Sequence, residues 1–244
     1  MTHAYYRPYG WHAKIGLIVP LTNTVNEAEW ARMAPEGVTV HVTRMALHQG
    51  DDAAALDRDI SAAIASLAPA GPDVIAYGCT AGSMVSPLDR LTGRMREIGG
   101  IPAVATAPAI VHALRAIGAR RIALATPYHD ALNRHEMDFF AANGIETVAH
   151  KGLGIGAGGA HEYVNIARVP KDAVLAHARS ADNRGAEALV ISCTDFATLE
   201  ALPQLERDLG KPVISSNLAT WWQALRAAGI EDRYSGYGRL LQEH

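Results

Sequence analysis

The sequence predicts an α/β protein built from two pseudo-symmetric, Rossmann-like lobes, each with a parallel sheet, and an active site in the cleft between them. Two observations carry this prediction. Short β-branched runs alternate with Ala-rich helical stretches, the pattern of βαβ units with right-handed crossovers. The same order of segments then returns after roughly half the chain, a period too long for a solenoid, which implies two similar lobes related by a pseudo-dyad.

Taken in order, Lys14-Ile15-Gly16-Leu17-Ile18-Val19-Pro20 opens the first lobe with a strand over 15–19. Its counterpart is Arg121-Ile122-Ala123-Leu124-Ala125-Thr126-Pro127, with a strand over 122–125. Residues 52–67 and 171–179 read as helices. Gly100-Ile101-Pro102-Ala103-Val104 matches Gly210-Lys211-Pro212-Val213-Ile214. The helices that follow also match, and each ends on a glycine, Gly118 and Gly229, placed as a C-terminal cap. The expected division is a first lobe over 1–118 and a second over 119–218. The stretch from about 219 to 244 is a candidate to cross back to the first lobe.

The two cysteines complete the repeat. Asp73-Val74-Ile75-Ala76-Tyr77-Gly78-Cys79-Thr80 and Glu187-Ala188-Leu189-Val190-Ile191-Ser192-Cys193-Thr194 share one pattern: an acid, a short apolar run, a small residue, then Cys-Thr. The apolar runs have the character of buried parallel strands. Cys79 and Cys193 therefore fall at strand ends, where open α/β sheets place their chemistry. A lone Cys is as often a small core residue, but two in equivalent places weaken that reading. No other Cys is present. With no signal peptide in view, and a chain too long to need a staple, the thiols are expected to be reduced.

Length suits one large domain or two lobes. The formal net charge is −3, with no basic run of the kind that nucleic acid requires. No apolar stretch reaches membrane-spanning length. A cytoplasmic enzyme is the expectation.

A thiolate is a nucleophile and a carbon base, and it needs positive potential to form at neutral pH. A helix N-terminus just after each Cys would provide that, with Ser83 and Thr194 in the early turns. Asp195 has an ordinary alternative role as a helix cap. After the first strand, Thr22-Asn23-Thr24 offers an amide and two hydroxyls for a carboxylate, although these residues also favour turns. Tyr128 holds the equivalent place in the second half. Lys151-Gly152-Leu153-Gly154-Ile155-Gly156-Ala157-Gly158-Gly159 is a poor dinucleotide fingerprint and reads instead as a mobile loop or lid. Asn165 and Arg168 beyond it could reach a carboxylate. His135-Glu136 and His161-Glu162 lack the second histidine of a zinc motif, and no nucleophile elbow or Walker loop occurs.

Across nearly its whole length, the chain resembles the aspartate/glutamate racemase superfamily, in the branch of maleate cis-trans isomerases and arylmalonate decarboxylases. The marks are Ile15 to Pro20 with Asn23, the two Cys segments, Ala123 to Tyr128, and Ser235-Gly236-Tyr237-Gly238-Arg239-Leu240. The resemblance implies a cofactor-free enzyme, without metal, working between its lobes on a small carboxylate or dicarboxylate. It also implies a homo-oligomer, a dimer or tetramer. By likeness to maleate isomerases, Cys79 is the nucleophile and Cys193 the acid/base partner. Asn23, Tyr128 and Asn165 match carboxylate-holding positions, and Thr80 and Thr194 add binding groups beside each thiol. Arylmalonate decarboxylases keep only the second cysteine, so Cys79 counts against that activity. The triplets Thr-Ala-Gly after Cys79 and Thr-Asp-Phe after Cys193 depart from the isomerase pattern.

The leading expectation is thus cis-trans isomerisation of maleate or a related dicarboxylate. A two-thiol racemase or epimerase, a malonate decarboxylase using Cys193, and a non-catalytic small-acid binding protein remain as alternatives.

Overall fold

A computed structural model of the chain describes residues 8–48 and 53–244. The first half runs β1 (Ala13–Pro20), α1 (Asn26–Met33), β2 (Val38–Met45), α2 (Ala53–Leu67), β3 (Val74–Tyr77), α3 (Thr80–Ser83), α4 (Arg90–Gly99), β4 (Ala103–Ala105) and α5 (Thr106–Ala116). The second runs β5 (Arg121–Tyr128), α6 (Asp130–Ala142), β6 (Glu146–Ile155), a 3₁₀ segment (Ala160–Arg168), α7 (Lys171–Ala181), β7 (Ala188–Ile191), α8 (Leu202–Leu209), β8 (Val213–Ser215), α9 (Ser216–Ala227) and α10 (Arg239–Glu243). The helix expected over 52–67 is α2, except that position 52 lies outside the described residues.

Two four-stranded sheets form, ordered β2-β1-β3-β4 and β6-β5-β7-β8, with every pairing parallel. The expected α/β fold with two parallel sheets is therefore present. Corresponding residues hold corresponding places. Ile15 pairs with Val74 and Ile122 with Ala188. Each Cys-bearing strand is extended by one more bond, Gly78 N–H to Ile18 O (2.8 Å) and Ser192 N–H to Ala125 O (2.9 Å). The chain then leaves the sheet at Cys79 and at Cys193. Central strands covered on both faces need continuous apolar runs, and β3 and β7 are buried throughout.

The helix after the last strand of each half reaches across. α5 packs on α9 and β8, while α9 packs on α5, β3, β4 and α1. The glycines after these helices take positive φ, 74° at Gly118 and 78° at Gly229, as their capping role requires. Trp30 of α1 and Trp221 of α9 are fully buried, with ring centroids 5.0 Å apart. Such a pair contributes about 0.5–1.5 kcal/mol beyond its buried area. Both indole N–H groups are satisfied, by Asn217 O at 3.0 Å and by Tyr234 Oη at 2.7 Å.

The glycine-rich segment differs from the expected mobile loop. Lys151 to Ile155 continue strand β6. The turn after it is pinned by Glu162, whose carboxylate accepts from Gly156 N–H (2.8 Å) and Gly158 N–H (3.2 Å). A β-carbon at Gly152 would strike Tyr128 O and Asn133 Nδ2, so glycine lets β6 lie against β5 there, and composition alone is a poor guide.

Candidate active site

The C-terminal ends of β1, β3, β5 and β7 converge on one cavity of about 1380 Å³. Its walls include Asn23, Cys79, Thr80, Tyr128, Cys193 and Thr194. The two thiols of the repeat thus share one space, and both are free and buried. Asn165 does not join them. It is exposed and accepts a hydrogen bond from Arg168 at 3.2 Å, while its neighbours Tyr163 and Ile166 face the cavity instead. The 3₁₀ turn rotates successive side chains by a third of a circle, which separates position 165 from 163 and 166.

Cys79 caps α3. Its Sγ accepts from Gly82 N–H at 3.3 Å. The Tyr77 hydroxyl, buried without another partner, faces the same sulfur. A β-carbon at Gly82 would strike that hydroxyl and come within 3.2 Å of Cys79 Sγ, so only glycine lets these groups approach. Burial pushes the Cys79 thiol above its ordinary range, while the Gly82 N–H and the Tyr77 hydroxyl pull it back.

Cys193 is held differently. No helix follows it, contrary to the expectation; the chain makes a turn closed by Phe196 N–H to Cys193 O at 3.3 Å, and α8 starts only at Leu202. Cys193 adopts φ 92°, unusual for a residue with a β-carbon. Strain of this kind costs on the order of 1–3 kcal/mol and persists only where the surroundings enforce it. Here Ser216 Oγ accepts from Cys193 N–H at 3.0 Å, and Asn217 Nδ2 donates to Thr194 O at 3.1 Å. Burial pushes the Cys193 thiol up to about 12; the Tyr128 hydroxyl and the Asp195 N–H oppose the rise, and the negative charges of Asp195 and Cys79 add to it. No anionic neighbour acts on Cys79 in this way. The Asp195 carboxylate thus opposes ionisation of Cys193.

Asp195 does not cap a helix of its own half. Its Oδ1 accepts from Thr24 N–H at 2.8 Å, ahead of α1. Burial raises its carboxyl to about 6. Asn23 Oδ1 accepts from Val25 N–H (3.2 Å) and Asn26 N–H (3.0 Å), and its Nδ2 donates to Thr194 Oγ1 at 3.1 Å. One amide hydrogen of Asn23 remains for a ligand. The Thr80 and Ser216 hydroxyls lie 2.9 Å apart.

Several supporting residues carry no signal in the sequence. Glu29 is buried on α1 and accepts from Thr198 N–H (2.6 Å), Leu199 N–H (2.8 Å) and Asn217 Nδ2 (2.7 Å), tying α1 to the segment after Cys193. Ser216 could have been suspected from its place after β8, equivalent to Thr106 after β4. Among the described residues, no group of three or more His, Cys, Asp or Glu is arranged to hold a metal ion. No helix among them is long and apolar enough to cross a membrane.

Known proteins share this architecture. The chain is 38% identical to the arylmalonate decarboxylase of Bordetella bronchiseptica over 154 residues, 63% of each protein. It is 30% identical to the maleate isomerase of Nocardia farcinica over 245 residues, covering 94% of this chain and 96% of the relative. A cysteine-to-serine mutant of Nocardia farcinica maleate cis-trans isomerase, solved with a covalently bound succinylcysteine intermediate, superposes with a TM-score of 0.84 at 28% identity, over 95% of this chain and 99% of that one. Residues 15–241 match the family model of arylmalonate decarboxylase, so the resemblance read from the strand-end motifs extends over the whole two-sheet frame, and the chain is a member of the arylmalonate decarboxylase family of enzymes.

Proposed function

We propose that the protein is a cofactor-independent cis-trans isomerase of a maleate-like dicarboxylate. The observation that carries this reading is the sharing of one cavity by Cys79 and Cys193, together with a similar isomerase that holds a succinyl group on cysteine.

In this mechanism Cys79 gives its proton to water in the open cleft as substrate binds and adds as the thiolate, through Sγ, to one alkene carbon. The π electron pair moves to the neighbouring carbon and its carboxylate, so the former double bond can rotate. Expulsion of the Cys79 thiolate restores the double bond in the trans geometry. No atom is gained or lost overall. The Gly82 N–H and the Tyr77 hydroxyl steady the thiolate. Cys193, beside the Asp195 carboxylate, gives its proton to the carbanionic carbon to form the succinyl adduct and takes it back before Cys79 leaves. The N–H groups of Thr80 and Ala81 at the start of α3 have no intrahelical acceptor, and with the remaining amide hydrogen of Asn23, the Tyr128 hydroxyl and the Thr194 N–H they are suited to the carboxylates. We further propose a homo-oligomer, on the strength of the sequence resemblance, and a cytoplasmic setting, from the composition.

Decarboxylation of a malonate is the second reading. It is favoured by the 38% identity to an arylmalonate decarboxylase and needs only Cys193 as proton donor. Proton NMR of maleate and of a 2-substituted malonate in D₂O with the purified enzyme separates the two. Conversion of maleate to fumarate supports the isomerase, whereas CO₂ loss with deuterium at the α-carbon and inert maleate replaces it.

A further inference from the structure

The cavity is larger than its polar floor needs. A volume of about 1380 Å³ exceeds the roughly 300–1,000 Å³ of pockets that enclose drug-sized ligands, and a four-carbon diacid is far smaller than those. Part of the space is the cleft mouth, where Arg94 forks onto Asp57 (Nε to Oδ1 2.7 Å, Nη2 to Oδ2 3.0 Å) and joins α2 to α4.

Part of the lining is apolar. Leu56 and Ile60 of α2, Val85, and Leu91 of α4 line it. These residues belong to, or pack on, the hydrophobic cluster that contains Cys79. The apolar lining residues of α2 and α4 thus share one cluster with Cys79, and the same two helices carry the Arg94–Asp57 bridge. A fully hydrated diacid leaves such a wall against water, which an apolar group would displace favourably.

Resting on the isomerase reading, we infer that the physiological substrate is a cis-butenedioate bearing an apolar substituent, alkyl or aryl, on one alkene carbon, with that arm lying along the α2–α4 wall. The chemistry agrees with the geometry. Cys79 Sγ adds to the unsubstituted carbon; the electron pair then resides on the carbon that carries the arm, where an aryl group and the carboxylate both delocalise it. Rotation and loss of thiolate return the substituted trans diacid.

The test uses the full-length enzyme with the disodium salts of maleate, 2-methylmaleate and 2-phenylmaleate. We expect kcat/KM to rise along that series, by about tenfold or more from maleate to 2-phenylmaleate, since one methylene in an apolar pocket is worth about 10–200-fold. Val85→Phe, which fills the wall, and Leu56→Gln, which makes it polar, should each lower the ratio of phenyl to unsubstituted kcat/KM about tenfold. Both positions are half-buried, so folding is checked by circular dichroism. Maleate turned over as well as or better than both substituted acids overturns the inference and leaves the isomerase reading standing. Equal losses on all three substrates in both folded variants also overturn it. If no member of the series is isomerised, or forms an adduct on Cys79, the isomerase reading fails and this inference fails with it.

Discussion

Asn23 and Thr194 are joined across the cleft by a buried hydrogen bond of 3.1 Å, from Asn23 Nδ2 to Thr194 Oγ1. Thr194 Oγ1 in turn donates to Gly78 O at 3.0 Å. A strand-end loop of the first sheet is thereby fixed to the residue after Cys193, and that residue to the one before Cys79. The two thiol segments are held by one short chain of polar groups, so the distance between them is set by bonds and not by packing alone.

Asn23→Ala removes this link and the acceptor for Val25 and Asn26 N–H. It should destabilise the fold by about 1–3 kcal/mol, the cost of unpaired buried groups, and lower turnover. Asn23→Asp keeps the backbone acceptor and loses the donor. It should recover part of the stability and little of the activity. Urea midpoints and steady-state rates check both; equal stability and equal rates in the alanine variant would reject the link.

Serine variants divide the labour of the thiols. Cys79→Ser should abolish adduct formation and nearly all turnover, because an alcohol is a poor nucleophile without a base. Cys193→Ser should still add substrate to Cys79 and let the adduct accumulate. Intact-protein mass spectrometry with maleate reads both. An adduct on Cys193 alone reverses the assignment. A racemase predicts no adduct in either variant and loss of proton exchange from one enantiomer more than the other.

Gly82→Ala should force the Tyr77 hydroxyl away from Cys79 Sγ, because the new β-carbon occupies its place. The thiolate loses a donor, so alkylation of Cys79 by iodoacetamide should slow severalfold. Tyr77→Phe makes room by deleting the hydroxyl, and the double variant should be no slower than Tyr77→Phe alone. Additive losses would show that the two residues act separately.

Glu136 gives a pH signature of its own behind the Cys193 segment, facing Ser192 and acting on Tyr128. It is fully buried on α6, its carboxylate oxygens make no close hydrogen bond, and burial raises it to about 7, with only the Ser192 hydroxyl opposing. The unfolded chain gives up this proton near its ordinary value of 4.5. Between those two values the folded state binds more protons, so stability falls as pH rises through the window and the full penalty applies above it. The displacement corresponds to about 3 kcal/mol. Glu136→Gln should abolish that slope, leaving the protein more stable than the wild type at pH 8 and not at pH 5. Thermal melts across pH 4.5–8 test it; parallel curves for the two proteins would place the ionisation elsewhere.

The strands, the duplication and the two Cys segments were legible in the sequence because their signals are local. A β-branched run ending in a small residue and Cys states its own burial and its own end, and the repeat supplies the second copy. Asn23 and Tyr128 reach the cavity for the same reason: each closes or follows a central strand. The glycine run was less legible. Lys151 to Ile155 pair as strand β6 because β5 offers them a ladder, which their composition does not reveal.

Tertiary structure alone decided the rest. Asn165 was directed away from the cavity by the 3₁₀ turn that carries it. Cys193 was denied its helix and held at positive φ by Ser216 and Asn217, more than twenty residues away. Glu29 joined α1 to Thr198, Leu199 and Asn217 across a separation of 169–188 residues. The thiol environments depend on burial and on charges from distant segments, and no local pattern encodes these. Hydrogen bonds and desolvation act through space, so the sequence could name which residues end strands, and only the folded chain could say which of those ends meet.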